Sequence, residues 1–247
     1  MTYCLGILLP SGLVLASDAR SNAGVDQIAR VNKLDLMAVP GERVIAIQSA
    51  GNLATTQAVV TELFEAAGKG DPETDLHRCK TMFEVAHKVG QALRRVTDAD
   101  ARYVQKFGDP NASFLVGGQI LGETHRLFEI YSAGNFVEAS ARSPFLQIGE
   151  TKYGKPILDR ALTPDTSLNE AAKLALLSFD ATIRSNLSVG LPIDLLRYPK
   201  DSFSAANRVT IEEHNLYWRE LRSSYSTGLA ALVASLTPPP SALGLAG

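Results

Sequence analysis

Thr2 is the first residue of this chain whose chemistry stands out. Removal of Met1 would make it the leading residue, and a small second residue favours that removal. A Thr at a free N-terminus carries its own base. The α-amine has a reference pKa near 8, about two units below lysine, so part of it is neutral at pH 7. It can take the proton of the Thr hydroxyl, directly or through one water. Two further residues bear on this. Asp18 follows the apolar stretch Leu13-Val14-Leu15-Ala16-Ser17, where a carboxylate is a poor strand former. Lys33 opens the next β-prone stretch, beside Leu34 and Leu36. Should hairpins bring these strand ends together, Lys33 lowers the proton affinity of hydroxyl and amine, and Asp18 holds Lys33 in place. A strand Thr, a turn carboxylate and a solvated strand-end lysine are the plain alternative. Residue pattern alone does not choose between them.

The elements that must position these residues can be read from periodicity and turn chemistry. Residues 2–9 and 13–17 read as strands around the turn Pro10-Ser11-Gly12, with Gly12 supplying the unusual backbone angle. Residues 19–32 are polar and turn-prone. Residues 33–39 and 43–48 form a second hairpin around Pro40-Gly41-Glu42. Asn52 caps a helix over 53–67, and Gly68 stops it. A second helix runs over 81–105, with Phe83, Ala86, Leu93 and Val96 at helical spacing. Strands are expected at 112–121, 126–131, 136–141 and 145–148. Helices follow at 153–161 and 167–185, then strands at 193–198 and 209–212, then a helix over 215–236. That helix carries Trp218, Leu221, Tyr225, Leu229, Leu232 and Leu236 on one face. Strands in runs and helices in runs argue for antiparallel sheets with separate helical layers, an α+β class. No linker or repeat divides residues 2–236, so one domain is expected. Residues 237–247, with Pro238-Pro239-Pro240, read as a mobile tail.

Composition excludes several functions. The chain has 247 residues, 45% hydrophobic and 20% charged, which is neither disordered nor disulfide-rich composition. The formal net charge of -2 leaves no basic excess for phosphates, so no nucleic-acid partner is expected. No apolar run reaches the roughly 20 residues of a membrane span, so no membrane partner is expected either. No basic residue precedes the short apolar run at the start, unlike a signal peptide, and a cytoplasmic location follows as the expectation. Phosphate loops, dinucleotide loops, the GxSxG elbow, CxxC pairs and HExxH are missing. His77, His87, His125 and His214 are scattered and read as surface or helix-face residues; Cys4 and Cys79 read as buried filler. No metal and no organic cofactor are implied.

Thr2, the stretch Gly-Leu-Val-Leu-Ala-Ser-Asp-Ala-Arg ending at Arg20, Lys33, and Ala-Ile-Gln-Ser-Ala-Gly ending at Gly51 together resemble the start of proteasome β-subunits. Leu-Phe-Glu-Ile-Tyr-Ser-Ala-Gly ending at Gly134 continues the likeness. So do Ile148-Gly149-Glu150 and Arg-Ser-Asn-Leu-Ser-Val-Gly ending at Gly190. Lys-Tyr-Gly-Lys-Pro-Ile-Leu (ending at Leu158) and Leu-Ser-Val-Gly-Leu-Pro-Ile-Asp (ending at Asp194) are similar to the bacterial Anbu, or ancestral β-subunit, branch. The resemblance spans roughly residues 2–200.

It implies the N-terminal nucleophile (Ntn) hydrolase fold, a four-layer αββα sandwich of two antiparallel sheets. It implies Thr2 as nucleophile and base, with Lys33 and Asp18 as its charge pair. A backbone N–H near the end of strand 43–48 would bind the oxyanion. Gap-free alignment puts Gln48 where the family usually has Gly, with Gly51 three residues on, so a Gln side chain would stand beside the substrate strand. That strand would lie between Asn22 on one side and Gln48 and Ala50 on the other. The family's supporting Ser aligns with Glu150, its Asp near a helix end with Ser185, and its second Ser with Ser188. The implied function is a threonine-type peptidase acting on peptides or unfolded protein through an acyl-enzyme, as a homo-oligomer. Two rivals remain: a small-molecule amidase with the same nucleophile, and a catalytically silent protein that builds rings or spirals. An ATPase partner is left open.

Overall fold

The computed structural model describes residues 1–22, 28–106 and 108–239. Contacts group Met1–Glu212 into one unit and the chain from Glu213 into a second. In the first unit the strands are β1 (Tyr3–Leu9), β2 (Gly12–Asp18), β3 (Arg20–Asn22), β4 (Ile28–Arg30), β5 (Leu34–Val39) and β6 (Arg43–Gly51). After helices α1 (Leu53–Ala66) and α2 (Met82–Val104) come β7 (Ala112–Ile120), β8 (Arg126–Ile130), β9 (Phe136–Glu138) and β10 (Phe145–Gly149). Helices α3 (Lys155–Ala161) and α4 (Leu168–Ser185) precede β11 (Ile193–Pro199) and β12 (Arg208–Ile211).

Ten strands form two five-stranded antiparallel sheets. One runs β10-β1-β2-β11-β12 and the other β5-β6-β7-β8-β9. Alternation along β6 shows why they stack. Val44 and Ala46 join Leu13, Leu15, Leu127 and Leu196 in a core between the sheets. Ile45 and Ile47 face the other way, onto Val59 and Leu63 of α1 and Val85, Val89 and Leu93 of α2. Helices α3 and α4 lie along the first sheet, completing the four-layer αββα order expected from the sequence. Local signals fix the helix starts. The Asn52 side chain accepts from Ala54 and Thr55 N–H. Ser167 and Glu170 form a reciprocal capping box on α4.

The chain start is locked rather than frayed. The Tyr3 ring is buried 4.5 Å from Phe179 of α4, and its hydroxyl bonds Ser178 Oγ and Gln147 Nε2, each at 2.6 Å. Burial pushes that phenol up to about 12.

Three features differ from expectation. Residues 19–32, read as turn-prone, contain the β3–β4 pair, joined through Arg20↔Arg30 and Ser21↔Ala29. A three-residue ladder of Arg-Ser-Asn against Ile-Ala-Arg is too short for an alternation to reveal it. A 3-10 turn over Leu76–Arg78 hangs on Asp75, whose carboxylate accepts from Gly68, Gly70 and His77 N–H. His125 is neither a surface nor a helix residue: it is buried before β8, its Nε2 2.7 Å from the Leu9 carbonyl. Cys4 and Cys79 are buried, as expected.

The second unit contains α5 (Leu216–Ser235), capped by Asn215 on Trp218 N–H at 3.0 Å. The Arg222 guanidinium lies 5.2 Å over the Trp218 ring. Leu229, Leu232, Val233 and Leu236 are exposed. The tail from residue 240 lies outside the described residues. Among the described residues, no helix is long and apolar enough to cross a membrane.

Candidate active site

The β1–β2 register brings the first strand's start beside the second strand's end: Cys4 pairs with Ser17, and the Tyr3 N–H donates to Asp18 Oδ1 at 3.0 Å. Thr2, half-buried, stands one residue ahead of that contact. Asp18 is fully buried. Besides the Tyr3 N–H, its carboxylate receives the Arg20 N–H (3.2 Å), the Gly190 N–H (3.5 Å) and the Lys33 ammonium (2.8 Å). Burial pushes the carboxyl up, while Lys33 and the Tyr3 and Gly190 amides pull it back; burial wins.

Lys33 sits immediately ahead of β5, only 4% exposed. Its ammonium donates to Asp18 and, at 2.5 Å, to the Arg20 carbonyl. The expected reach to Asp18 is therefore present. The Thr2 hydroxyl is not among the partners of Lys33 in this chain, which carries Met1. An ammonium has three N–H donors. Two are committed among the described residues and one is uncommitted. The Met1 α-amine is lowered, first by burial and then by Lys33, with Asp18 opposing. The chain terminus therefore lies within the field of the Lys33–Asp18 pair.

Two cross-sheet bonds hold β6 against this corner. Gln48 Nε2 donates to the Ala16 carbonyl at 2.6 Å, and Cys4 Sγ reaches the Ser49 carbonyl at 3.6 Å. The first corrects the sequence expectation. The Gln48 side chain is fully buried between the sheets and does not crowd a substrate strand. Register explains the rest. Ser49 N–H donates to the Lys33 carbonyl at 3.2 Å, so odd-numbered N–H groups of β6 face β5. Those of Gln48 and Ala50 face β7, opposite Leu115 and Ser113. Past Lys33, where β5 has ended, the next N–H on that side belongs to Gly51. Ala50 itself packs with Cys4, Leu115 and Ile148. Gly51 and Gly149 share a cleft of about 350 Å³ with Asn111, Ser113, Tyr131 and Ser132. On the α1 side, a cleft of about 280 Å³ is lined by Asn32, Asp35, Ser49, Thr56 and Gln57. Asn22 closes β3 opposite Ile28; its side chain lies outside the described residues.

Among the supporting residues, Glu150 is buried and its N–H donates to the Thr2 carbonyl at 2.7 Å. The approach needs Gly149: φ is +83°, and a Cβ there would stand 2.0 Å from the Thr2 carbonyl oxygen. Ser185 does not join the site. It is exposed at the last position of α4. Its neighbour Asn186 does the bridging, donating from Nδ2 to Glu150 Oε2 at 3.0 Å and accepting from the Ser188 N–H at 2.9 Å. Sequence reading was one residue short, because the alignment looked for an acidic residue's place rather than an amide donor. Ser188 is half-buried in this loop. Asp180 turns instead to Arg184, at 3.1 Å. Sequence reading also missed the loop's other contribution, the Gly190 N–H on Asp18. Among the described residues, no group of three or more His, Cys, Asp or Glu could hold a metal ion.

Sandwich order, strand-start Thr and buried Lys–Asp pair match the Ntn fold of the proteasome β-subunit kind. The comparisons narrow this. No family model matches the chain. Proteasome subunit beta 1 of Thermococcus sibiricus is 24% identical over 214 residues, 86% of this chain and 93% of that protein. Anbu (ancestral beta-subunit) from Yersinia bercovieri is 46% identical, with TM-score 0.91 over 96% of this chain and 98% of that one. A structure described as the helical assembly of the Anbu complex from Pseudomonas aeruginosa is 44% identical, with TM-score 0.92 over 97% and 99% of the two chains. A Hyphomicrobium Anbu (Gly-1) mutant is 46% identical, with TM-score 0.90 over 97% and 100%. The chain belongs to the Anbu family.

Proposed function

We propose that this chain is a threonine-type peptidase once Met1 is removed. The observation that carries the reading is the buried Lys33–Asp18 pair, whose carboxylate also takes the N–H of the residue after Thr2. Freed, the Thr2 amine serves as base for the Thr2 hydroxyl, and the uncommitted Lys33 N–H stabilises the oxygen as its proton leaves. The oxygen attacks an amide carbonyl, the amine returns the proton to the leaving nitrogen, and water releases the acyl group. Gly51 N–H is the β6 donor available to the oxyanion, in place of Gln48. The substrate is an extended peptide lying along β6, with Ser49 and Gly51 at its side. The cytoplasm is the expected location, and self-association is part of the reading, since a Pseudomonas relative is described as a helical assembly.

An electrophilic probe for N-terminal Thr, with intact mass, tests this. The expected result is a chain lacking Met1 that gains one probe mass at Thr2. An active preparation that retains Met1 overturns the mechanism. A processed, folded chain that refuses the probe favours an assembly protein without catalysis. Labelling followed by turnover of small amides but not peptides favours the amidase.

A further inference from the structure

Asp35 is a half-buried carboxylate on the wall of the cleft beside α1, and its charge is only partly answered. It shares the face of β5 that Met37 turns toward α1 and α2. The Asn32 side chain donates to Oδ1; among the described residues Oδ2 takes no hydrogen bond and no ion pair to Asp35 forms. Arg208 is the cation that acts on it, but that guanidinium is already shared between Asp194 (3.5 Å) and the Asn32 amide oxygen (3.1 Å). Lys33, two residues back, is paired with Asp18. Burial pushes the Asp35 carboxyl up; Asn32 and Arg208 pull it back, Asp194 adds to the push, and the carboxyl stays raised. The facing wall carries no charge: it is Ser49 of β6 with Thr56, Gln57 and Thr61 of α1. One carboxylate facing hydroxyls and an amide suits a cation with several N–H donors.

Strand register connects this cleft to a bound peptide. Ile45 and Ile47 of β6 face α1, so positions 49 and 51 face the same way, and Ser49 lines the cleft. The Ser49 N–H bonds the Lys33 carbonyl at 3.2 Å, the last rung before β5 ends. A peptide that continues this ladder places opposite Gly51 the residue whose carbonyl accepts the Gly51 N–H. Directly opposed residues share a face, so the side chain of that residue points to the α1 side, where Asp35 and Ser49 lie. We infer that the cleft receives the side chain next to the attacked carbonyl, and that Asp35 selects a cationic one, lysine or arginine. This rests on the reading of Thr2 as nucleophile and Gly51 as oxyanion donor. The cationic head pairs with Asp35 Oδ2 and spends its other N–H donors on the hydroxyls and amide of the facing wall. An acidic side chain meets like charge there, and an apolar one leaves the carboxylate unpaired.

The test applies electrophilic peptide probes to the processed full chain, identical except for Arg, norleucine or Glu next to the reactive group. Thr2 is expected to label about tenfold faster with Arg than with norleucine, the scale of one hydrogen bond to a charged group, and slowest with Glu. Asp35→Asn is expected to bring the Arg-to-norleucine ratio close to one, and Asp35→Lys to favour Glu. A wild-type ratio at or below one, or a ratio unchanged in Asp35→Asn, overturns the inference and leaves the Thr2 reading standing. If Asp35→Asn does not fold, the wild-type order of the probes decides alone. Binding of acetyl-arginine amide, followed by ligand-observed NMR, needs no chemistry at Thr2. It is expected to saturate with wild type and to be lost in Asp35→Asn. A processed chain that binds the amide in this way but takes no probe keeps the Asp35 cleft and removes the Thr2 reading. A chain that does neither removes both.

Discussion

Lys33 buries an ammonium against Asp18, a carboxylate that also takes three backbone N–H donors. Truncating one partner of such a pair strands the other charge in a dry environment, costing about 3–5 kcal/mol where no relaxation intervenes. Lys33→Ala and Asp18→Ala should therefore lower Thr2 acylation, Lys33→Ala the more, on the order of 100-fold in rate. Probe-labelling kinetics on protein shown to be folded by circular dichroism measure this; labelling of Lys33→Ala at the wild-type rate rejects the role. Acidity supplies a second check. The Asp18 carboxyl is raised by burial, so the ion pair is lost on acidification at a higher pH than an ordinary Asp, reference about 3.9, would dictate. The acid limb of labelling should lie above that value. Stability has the opposite trend. A carboxyl raised on folding contributes stability that is full below its unfolded value and is lost as pH rises through its folded value. The wild-type Tm should therefore drop relative to Asp18→Asn as pH climbs through the window just above 4; parallel Tm curves count against a raised Asp18.

At the scale of elements, Tyr3 makes β1 a fixed part of the first sheet. Tyr3→Phe removes a hydroxyl that satisfies both Ser178 and Gln147, and should cost about 1–3 kcal/mol in urea unfolding with an unchanged m-value. An unchanged midpoint would show that the chain start is held by apolar packing alone. The element order was legible because strong periodicity wrote it. The α4 stripe of Ala172, Ala175 and Phe179 and the capping pair Ser167 and Glu170 announce that helix and its start. Strands β3 and β4 were not legible, since Arg20 against Arg30 carries no hydrophobic signature. The site was legible as residue types, Thr2, Asp18 and Lys33, but not as directions. Whether Gln48 points into the cleft or between the sheets depends on a one-residue choice of register, and a string of apolar neighbours on both sides does not encode it. The step from Ser185 to Asn186 is the same kind of error at a helix end, where one residue turns a side chain through about 100°.

At the scale of the whole molecule, apolar side chains remain uncovered: Phe83 on α2 is half exposed, and α5 shows Leu229, Leu232 and Leu236 to solvent. Burying a Leu or Phe side chain is worth about 1.5–3 kcal/mol, so a few per chain suffice for association. Light scattering at micromolar concentration should give a mass well above 26.5 kDa. A constant monomer mass on concentration means these faces stay open in solution. The placement of β1 has a bearing on biogenesis. Its hairpin partner β2 is synthesised at once, but β10, its other neighbour, is made only after two α-helices and seven further strands, and the Gly190 N–H that completes Asp18 later still. On the ribosome the first hairpin therefore waits with open edges, exposed to mispairing. The corner around Thr2 closes among the last parts of the unit. Throughout that interval the chain start is accessible to an aminopeptidase, so trimming can precede the closure of the very site it would activate.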